Sequence, residues 1–245
     1  MIIAMLLTHL MGDYVLQWDA LARWKGTAVK GAACHGLIVS AVTLLFAMLI
    51  DPAWWPWALL IGLAHIAIDC SWVMFNRRFA PNNGMYGLVR LLIDQSLHFA
   101  VIAFALFASG YVTPTACPAS SGIGLPGAIV CEVQTHRLWA IALGYVLITM
   151  PAWIFIEFIF YGLINGSAPD FNQAAKYKYV GCLERGLIAT FVATGQFTLV
   201  PVVALPRLVL ESPHYFGDKR TPLYLAEWLG SLTVAIVIGL ALGRM

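Results

Sequence analysis

Residues 53–75, AWWPWALLIGLAHIAIDCSWVMF, decide the fold, because this apolar run is long enough to cross a membrane as one helix. His65 and Asp69 interrupt the run. They are four residues apart and therefore lie on one face of the helix, about one turn apart. An ionisable group in hydrocarbon costs roughly 2.5–3.5 kcal/mol even on lenient insertion scales. This pair therefore predicts a functional site inside a membrane helix.

The composition of the whole chain indicates the same class of protein. Its 245 residues are 61% hydrophobic and 11% charged, whereas about a quarter of the residues in soluble domains are charged. The apolar runs predict an all-α, polytopic membrane helix bundle with about seven transmembrane helices, at 1–17, 28–50, 53–75, 88–110, 138–163, 179–205 and 222–243. The first run competes with a signal peptide, but it lacks a basic start and a small-residue cleavage site.

The spans define one membrane domain over 1–245. In it, 1–110 are expected to form a four-helix part that carries the histidines and aspartates, and 138–245 a supporting three-helix part. Residues 206–221 are expected to form the last loop. The net charge of +2 and the lack of a basic patch predict no nucleic-acid partner. The oligomeric state is left open.

Basic residues near the span ends predict the orientation. By the positive-inside rule their loops are cytoplasmic, with the N-terminus outside and the protein in a bacterial inner (cytoplasmic) membrane. The residues concerned are Arg23, Lys25, Lys30, Arg77, Arg78, Arg90, Lys176 and Lys178. The loop 111–137 would then be exported, where Cys117 and Cys131 form a disulfide or remain free thiols.

The first four spans carry further ionisable residues at a common depth, roughly 6–15 Å inside the predicted cytoplasmic boundary. Seven residues make up this set: His9, Asp13, His35, His65, Asp69, Asp94 and His98. Imidazole and carboxylate groups without thiolates suit zinc, iron or manganese. A metal-free proton relay is the alternative. A bis-histidine haem does not need the three aspartates.

The pattern also predicts how many ions bind. Spans 1–2 and spans 3–4 each offer His-x-x-x-Asp followed by a histidine, so that Asp94 would bridge two half-sites. Three carboxylates with one divalent ion leave a charge of −1, and with two ions they leave +1. One ion and two ions therefore both remain open.

Neighbouring polar residues are assigned from helix geometry. Gln17, four residues after Asp13, is expected to orient it from the same face. Gln95 is expected to point elsewhere on its helix. Lys25 is expected to belong to an ordinary headgroup-level cluster of charges. Arg90, one turn before Asp94, would bind a phosphate or neutralise that carboxylate.

Two further carboxyls lie in the C-terminal half. Glu157 and Glu184 either act as a general base beside the metal or form intramembrane ion pairs that fix helix packing. Adjacent helical residues lie about 100° apart, so Glu184 and Arg185 are expected to face different partners.

Several motifs resemble those of a bacterial membrane-protein family, the domain-of-unknown-function family 3307. The opening motif His9-x-x-Gly12-Asp13-Tyr14-x-x-Gln17 is similar to the family's first signature. The later matches are His35, His65-x-x-x-Asp69, Asp94-Gln95-x-x-His98, Gly181-x-x-Glu184-Arg185, Arg207 and Gly230-Ser231-Leu232. The resemblance implies membership of the family and no particular activity.

The residues point first to a membrane-embedded, metal-dependent hydrolase of a lipid or lipid-linked phosphoester. Asp94, Glu157, Glu184 and Arg90 would be its catalytic residues, and membrane lipid its partner. The alternative is a cation or proton transporter, or a metal-sensing membrane protein, that uses the same ligands. The apolar outer halves of the first four spans favour the enzyme.

Overall fold

The computed structural model describes residues 1–79, 83–112, 136–166, 178–215 and 221–245, together with positions 133, 169 and 171. Within these residues every regular element is a helix. The helices are α1 (Ile2–Leu10), α2 (Asp19–Thr27), α3 (Val29–Ile50), α4 (Trp55–Phe79), α5 (Gly84–Ala108), α6 (Arg137–Ile148), α7 (Met150–Phe160), α8 (Lys178–Ala193), α9 (Val200–Tyr215) and α10 (Thr221–Gly243). The expected all-α class is confirmed for the described residues.

Five helical stretches of the described residues are long and apolar enough to cross a membrane. They are Val29–Ile50, Pro52–Phe79, Gly84–Ala108, Arg137–Ile164 and Thr221–Gly243. Two shorter apolar stretches, Ile2–Val15 and Phe197–Val209, lie at the places of the predicted first and sixth spans. The chain is therefore a membrane protein by the length and apolarity of its helices. The number seven stays a prediction, as does the orientation.

The predicted single span 179–205 is wrong, because the chain turns at Gly195. This residue has φ of +76°, a backbone conformation that only glycine adopts without strain. The amide of Gly195 donates to Val192 O and that of Gln196 donates to Phe191 O, which is the Schellman ending of a helix. Helix α9 then begins with Pro201 in its first turn. It continues to Tyr215, so the first part of the expected 206–221 loop is helical.

The predicted span 138–163 is confirmed as the apolar stretch Arg137–Ile164, and its helix is broken once within that stretch. Helix α6 ends at Ile148 and α7 begins at Met150, with Pro151 in its first turn and Thr149 outside helical geometry. Proline removes an amide donor at this break. Arg185 donates to two carbonyls there, Nε to Ile148 O and Nη2 to Thr149 O, and Thr149 O also accepts from the amide of Trp153.

The chain groups into two compact units, one of residues 1–80 and 92–143 and the other of 81–91 and 144–245. In the first unit, α3 packs against α1, α2 and α4. Close approach depends on glycine, since a Cβ on Gly36 would lie 2.5 Å from Ile66 Cγ1 and one on Gly12 would lie 2.8 Å from Val39 Cγ2.

The first unit has an apolar half and a polar half. The apolar core joins the start of α1 to the end of α3, the start of α4 and the end of α5, with Met5, Ala47, Ile61 and Leu106 among its members. The histidines and aspartates follow or precede these residues on the same helices. The bundle therefore gathers its ionisable groups at one end of a dry core, which fixes their depth along each helix.

Candidate metal centre

Four helical segments of the first unit supply the site. The first is α1 with the π-helical turn Met11–Val15, which carries His9 and Asp13. The others are α3, α4 and α5. The structure brings all seven sequence-predicted ligands into three overlapping groups: Asp13, His35, His65 and Asp69; His9, Asp13 and His98; and Asp69, Asp94 and His98. In each group the donor atoms lie within 4.8 Å of one another.

The π turn sets the position of Asp13. Its wider winding is shown by the amide of Leu16, which donates to Met11 O at 2.8 Å, five residues back. Gly12 within this turn lets the segment approach Val39 of α3. Asp13 is thereby placed beside His35 of α3, and the two side chains are 2.8 Å apart.

Six of the seven residues are buried. The exposed fraction is 0% for His35, 1% for His65 and 2% for Asp69. The side chain of Asp94 is the partly accessible member, at 16%. Ionisable groups this deep need partners, because an unpaired charge in a low-dielectric interior is strongly disfavoured.

Four donor atoms outline a tetrahedron. They are Asp13 Oδ1, His35 Nε2, His65 Nε2 and Asp69 Oδ2. His65 Nε2 lies 3.3 Å from Asp13 Oδ1, 3.2 Å from Asp69 Oδ2 and 3.4 Å from His35 Nε2. His35 Nε2 lies 2.8 Å from Asp13 Oδ1 and 3.7 Å from Asp69 Oδ2.

These distances match the size of a small ion's coordination shell. A tetrahedral ion with bonds of about 2.0–2.1 Å has donor–donor edges of about 3.3 Å. Five edges of the observed figure run from 2.8 to 3.7 Å around that value. Protons on the imidazoles can be shared within this group, since His35 Nε2 lies 2.8 Å from Asp13 Oδ1 and 3.4 Å from His65 Nε2. A cation at the centre would instead contact all four donor atoms. The His/Asp group is therefore positioned to hold a metal ion.

His98 adds an unpartnered nitrogen beside this figure. Its Nδ1 donates to Asp94 O at 2.9 Å, because a carbonyl can only accept. The proton is then on Nδ1, and Nε2 keeps its lone pair. Nε2 is buried without a hydrogen-bond partner, as is Nδ1 of His35. A histidine whose Nδ1–H is held by a carbonyl is oriented as metal-ligating histidines usually are.

Gln95 belongs to the site, so the prediction that it points elsewhere is wrong. Its Nε2 donates to Asp13 Oδ2 at 3.0 Å and to Asp94 Oδ2 at 3.2 Å, and its Oε1 lies 3.2 Å from His9 Nε2. An amide reaches far enough to overcome the angular offset between neighbouring helical residues. Gln95 thus holds one oxygen of Asp13 while the other faces the tetrahedron.

Lys25 is the second residue that the sequence interpretation misplaced. Its Nζ lies 2.9 Å from Asp69 Oδ2 and 3.5 Å from Asp13 Oδ1, although it lies on α2 outside the apolar spans. Burial alone would lower the pKa of Lys25, but Asp13 and Asp69 outweigh it and raise the pKa above its ordinary value. Lys25 is therefore a charged partner of the two carboxylates.

Gln17 does not take the position expected from helical spacing. The helical turn that holds Asp13 ends at Val15, so the four-residue relation between Asp13 and Gln17 fails. Gln17 Oε1 is buried and lacks a hydrogen-bond partner among the described residues.

The expected half-sites are grouped differently in the structure. Asp13 and His35 of the first half join His65 and Asp69 of the second in one tetrahedron, and Asp94 lies with Asp69 and His98. The reason is that α3 and α4 pack side by side, which brings His35 and His65 together.

The remaining catalytic candidates lie in the second unit. Glu157 accepts from Trp153 Nε1 at 3.1 Å, and Glu184 pairs with Arg207 at 3.1 Å. Arg185 turns to the carbonyls of the α6–α7 break, so the expectation that it and Glu184 face different partners is confirmed. Arg90 also falls in this unit. The catalytic roles of these residues stay predictions. Cys117 and Cys131 lie outside the described residues.

Fold and site together define a membrane helix bundle with a buried His/Asp centre in its N-terminal part. Residues 1–119, just under half of the chain, match the family model "Protein of unknown function (DUF3307)". The resemblance drawn from the motifs of the first 100 residues is thereby confirmed. No curated protein and no solved structure matches the chain.

Proposed function

We propose that the first unit is a membrane-embedded metal centre that holds one divalent first-row ion, zinc in the first place and iron or manganese next. The tetrahedron of Asp13, His35, His65 and Asp69 carries this proposal, since five of its six edges run from 2.8 to 3.7 Å, around the value of about 3.3 Å for tetrahedral zinc. Two imidazoles with two carboxylates are donors that suit these ions, and none of the described cysteines belongs to the groups.

The donor groups favour one ion over two. Among the described residues, the group of four donors that tetrahedral coordination needs is Asp13, His35, His65 and Asp69. The other two groups hold three donors each, and each shares Asp13 or Asp69 with the first group.

We assign to this centre the hydrolysis of a lipid or lipid-linked phosphoester. A bound zinc ion would supply Lewis acidity, and it would have to take a water as a fifth ligand beside the four protein donors in order to acidify it. Asp94 would accept the proton, because its carboxylate is partly exposed beside His98. His98 would orient the water through its unpartnered Nε2, and Gln95 would keep Asp94 in place.

The test has two independent readings. Mass spectrometry of detergent-purified protein should find about one divalent ion per chain, and His65→Ala should lose it, while the exposed His136→Ala keeps it. Release of phosphate from phospholipids or polyprenyl phosphates should require the ion. Bound metal without turnover would overturn the hydrolase assignment, and no bound metal would overturn the centre itself.

A second candidate function is cation transport or metal sensing. It is favoured by the four buried protein donors of the tetrahedron, because catalytic zinc sites usually keep one position open for water. Zinc flux into proteoliposomes, lost in Asp69→Asn, would establish transport. Retained flux in that variant, or none in the wild type, would remove transport from consideration.

A further inference from the structure

Lys25 holds the two carboxylate oxygens that an ion in the tetrahedron would need. Its Nζ lies 2.9 Å from Asp69 Oδ2 and 3.5 Å from Asp13 Oδ1. These same oxygens lie 3.2 and 3.3 Å from His65 Nε2 and form two corners of the tetrahedron. The ammonium thus sits against the site as a cation covalently attached to the protein.

Ammonium and divalent ion exclude each other electrostatically. An ion bound about 2 Å from Asp69 Oδ2 would come within about 5 Å of the ammonium in its observed place. Two cations at that separation in a buried site repel strongly, because little solvent screens them. Asp13 and Asp69 can neutralise either the ammonium or the divalent ion. They attract the divalent ion more strongly, because it has the larger charge.

Lys25 is also the member of the cluster best able to leave. It lies near the end of the short helix α2, outside the apolar spans. Its side chain is 19% exposed, against 4% for Asp13 and 2% for Asp69. The stem of a lysine has four flexible carbons, so the ammonium can move to solvent without any movement of the helix.

We propose that Lys25 is a tethered counter-cation that a divalent ion displaces when it enters the site. This inference rests on the proposed metal centre and adds how that centre is regulated. Without an ion, the ammonium neutralises Asp13 and Asp69 and keeps the buried carboxylates together. With an ion, it is released, so that the affinity for metal includes the cost of breaking the lysine contacts.

The first experiment compares zinc binding in the wild type, Lys25→Met and the control Lys30→Met, which changes an exposed lysine at the start of α3. Methionine keeps the length of the side chain and removes its charge. We expect Lys25→Met to bind zinc about tenfold more tightly than the wild type. Without zinc it should unfold at a lower temperature, and zinc should raise that temperature more than in the wild type. Lys30→Met should match the wild type.

The second experiment uses the wild-type protein, so it does not depend on the folding of a variant. An amine-reactive reagent is applied with and without zinc, and labelling of each lysine is read from peptides by mass spectrometry. We expect zinc to increase labelling of Lys25 several-fold and to leave Lys30 unchanged.

The outcomes separate the two proposals. Zinc binding with unchanged labelling of Lys25, or equal affinity in the wild type and Lys25→Met, would overturn the displacement and leave the metal centre standing. A wild type that binds no zinc would overturn the centre and the displacement together. Release of Lys25 that accompanies zinc binding would support both.

Discussion

The two units of the chain satisfy their buried charges in opposite ways. In the second unit, Arg185 meets neutral acceptors: Ile148 O, Thr149 O and Ser231 Oγ. In the first unit, His35 Nε2 lies 3.4 Å from His65 Nε2 and within hydrogen-bond distance of Asp13 Oδ1, at 2.8 Å. A neutral imidazole carries one N–H, so the oxygens and nitrogens of this cluster offer more acceptors than the two rings and Lys25 offer donors.

This difference shows which polar cluster is structural and which can bind a ligand. A guanidinium whose hydrogen bonds end on backbone carbonyls stabilises a helix break and has no further task to explain. A surplus of lone pairs at a common centre is unfavourable unless a cation or protons fill it. Both clusters contain charged residues, so charge alone does not show which of them binds a ligand. The balance of hydrogen-bond donors and acceptors in each cluster does show it.

The largest expected effect is loss of the ion when one tetrahedral donor is removed. Substitution His65→Ala takes away a nitrogen that contacts Asp13, Asp69 and His35. We expect zinc affinity in titrations to fall at least a hundredfold, because the loss of a residue that merely orients a metal ligand already costs about 10–100-fold. The control is His136→Ala, which should bind like the wild type. Equal affinity of His65→Ala and the wild type would contradict the assigned donor set.

The opposite result is expected for the second cluster. Arg185→Met removes the side-chain donor of Ile148 O and one of the two donors of Thr149 O, so the free energy of unfolding should fall by about 1–3 kcal/mol. Zinc affinity should not change. Denaturant unfolding in detergent measures the first quantity and titration the second, with the exposed Arg244→Met as control. If Arg185→Met instead lowered zinc affinity and kept full stability, the contrast between the two units would be lost.

An intermediate effect is expected from Gln95, which holds Asp13 without being a tetrahedral donor itself. Gln95→Leu removes the amide that donates to Asp13 Oδ2 and Asp94 Oδ2. We expect zinc affinity to fall about 10–100-fold with the number of bound ions unchanged. Gln196→Leu, at an exposed position, is the matched control. An unaltered affinity in Gln95→Leu would mean that Asp13 needs no such support.

The smallest effect concerns the packing that brings Asp13 to the site. A Cβ at Gly12 would lie 2.8 Å from Val39 Cγ2, whereas nothing lies within 4 Å of one at Gly26. Gly12→Ala should therefore lower the free energy of unfolding by about 1–3 kcal/mol. Gly26→Ala should leave it unchanged or raise it by up to about 1 kcal/mol, as alanine favours helix. Thermal unfolding of Gly12→Ala and Gly26→Ala under the same conditions measures the difference in their free energies of unfolding. Equal stability of the two variants would mean that α1 and α3 can move apart without cost.

The clustering of the histidines and aspartates was predictable from the sequence, because a four-residue spacing in an apolar helix fixes which side chains share a face. His9 with Asp13 and His65 with Asp69 follow from this rule alone. The partners of the ligands were not predictable in the same way. Lys25 comes from a helix outside the apolar spans, and its side chain is so long that the position of its backbone does not predict where the ammonium lies. A helical projection places Gln95 about 100° from Asp94 around the helix axis, but the Gln95 side chain is long enough to reach the site across that angle.

The errors in the fold have a similar origin in local backbone geometry. Hydropathy does not register the turn at Gly195, so a continuous apolar run was expected where two helices form. The end of the helical turn at Val15 removes the relation between Asp13 and Gln17. Glycine and proline mark such breaks, as Pro151 and Pro201 do here, but their effect depends on neighbours that the sequence does not reveal.

In the proposed centre Asp13, His35, His65 and Asp69 hold one ion. X-ray absorption at the zinc edge, measured on detergent-purified wild-type protein loaded with zinc, reports the type, number and distance of the donors around that ion. We predict four nitrogen and oxygen donors at about 2.0–2.1 Å, with imidazole scattering and no sulfur. The signal should be absent in His65→Ala. A sulfur shell, a six-coordinate oxygen environment or a wild-type protein without zinc would contradict the claim.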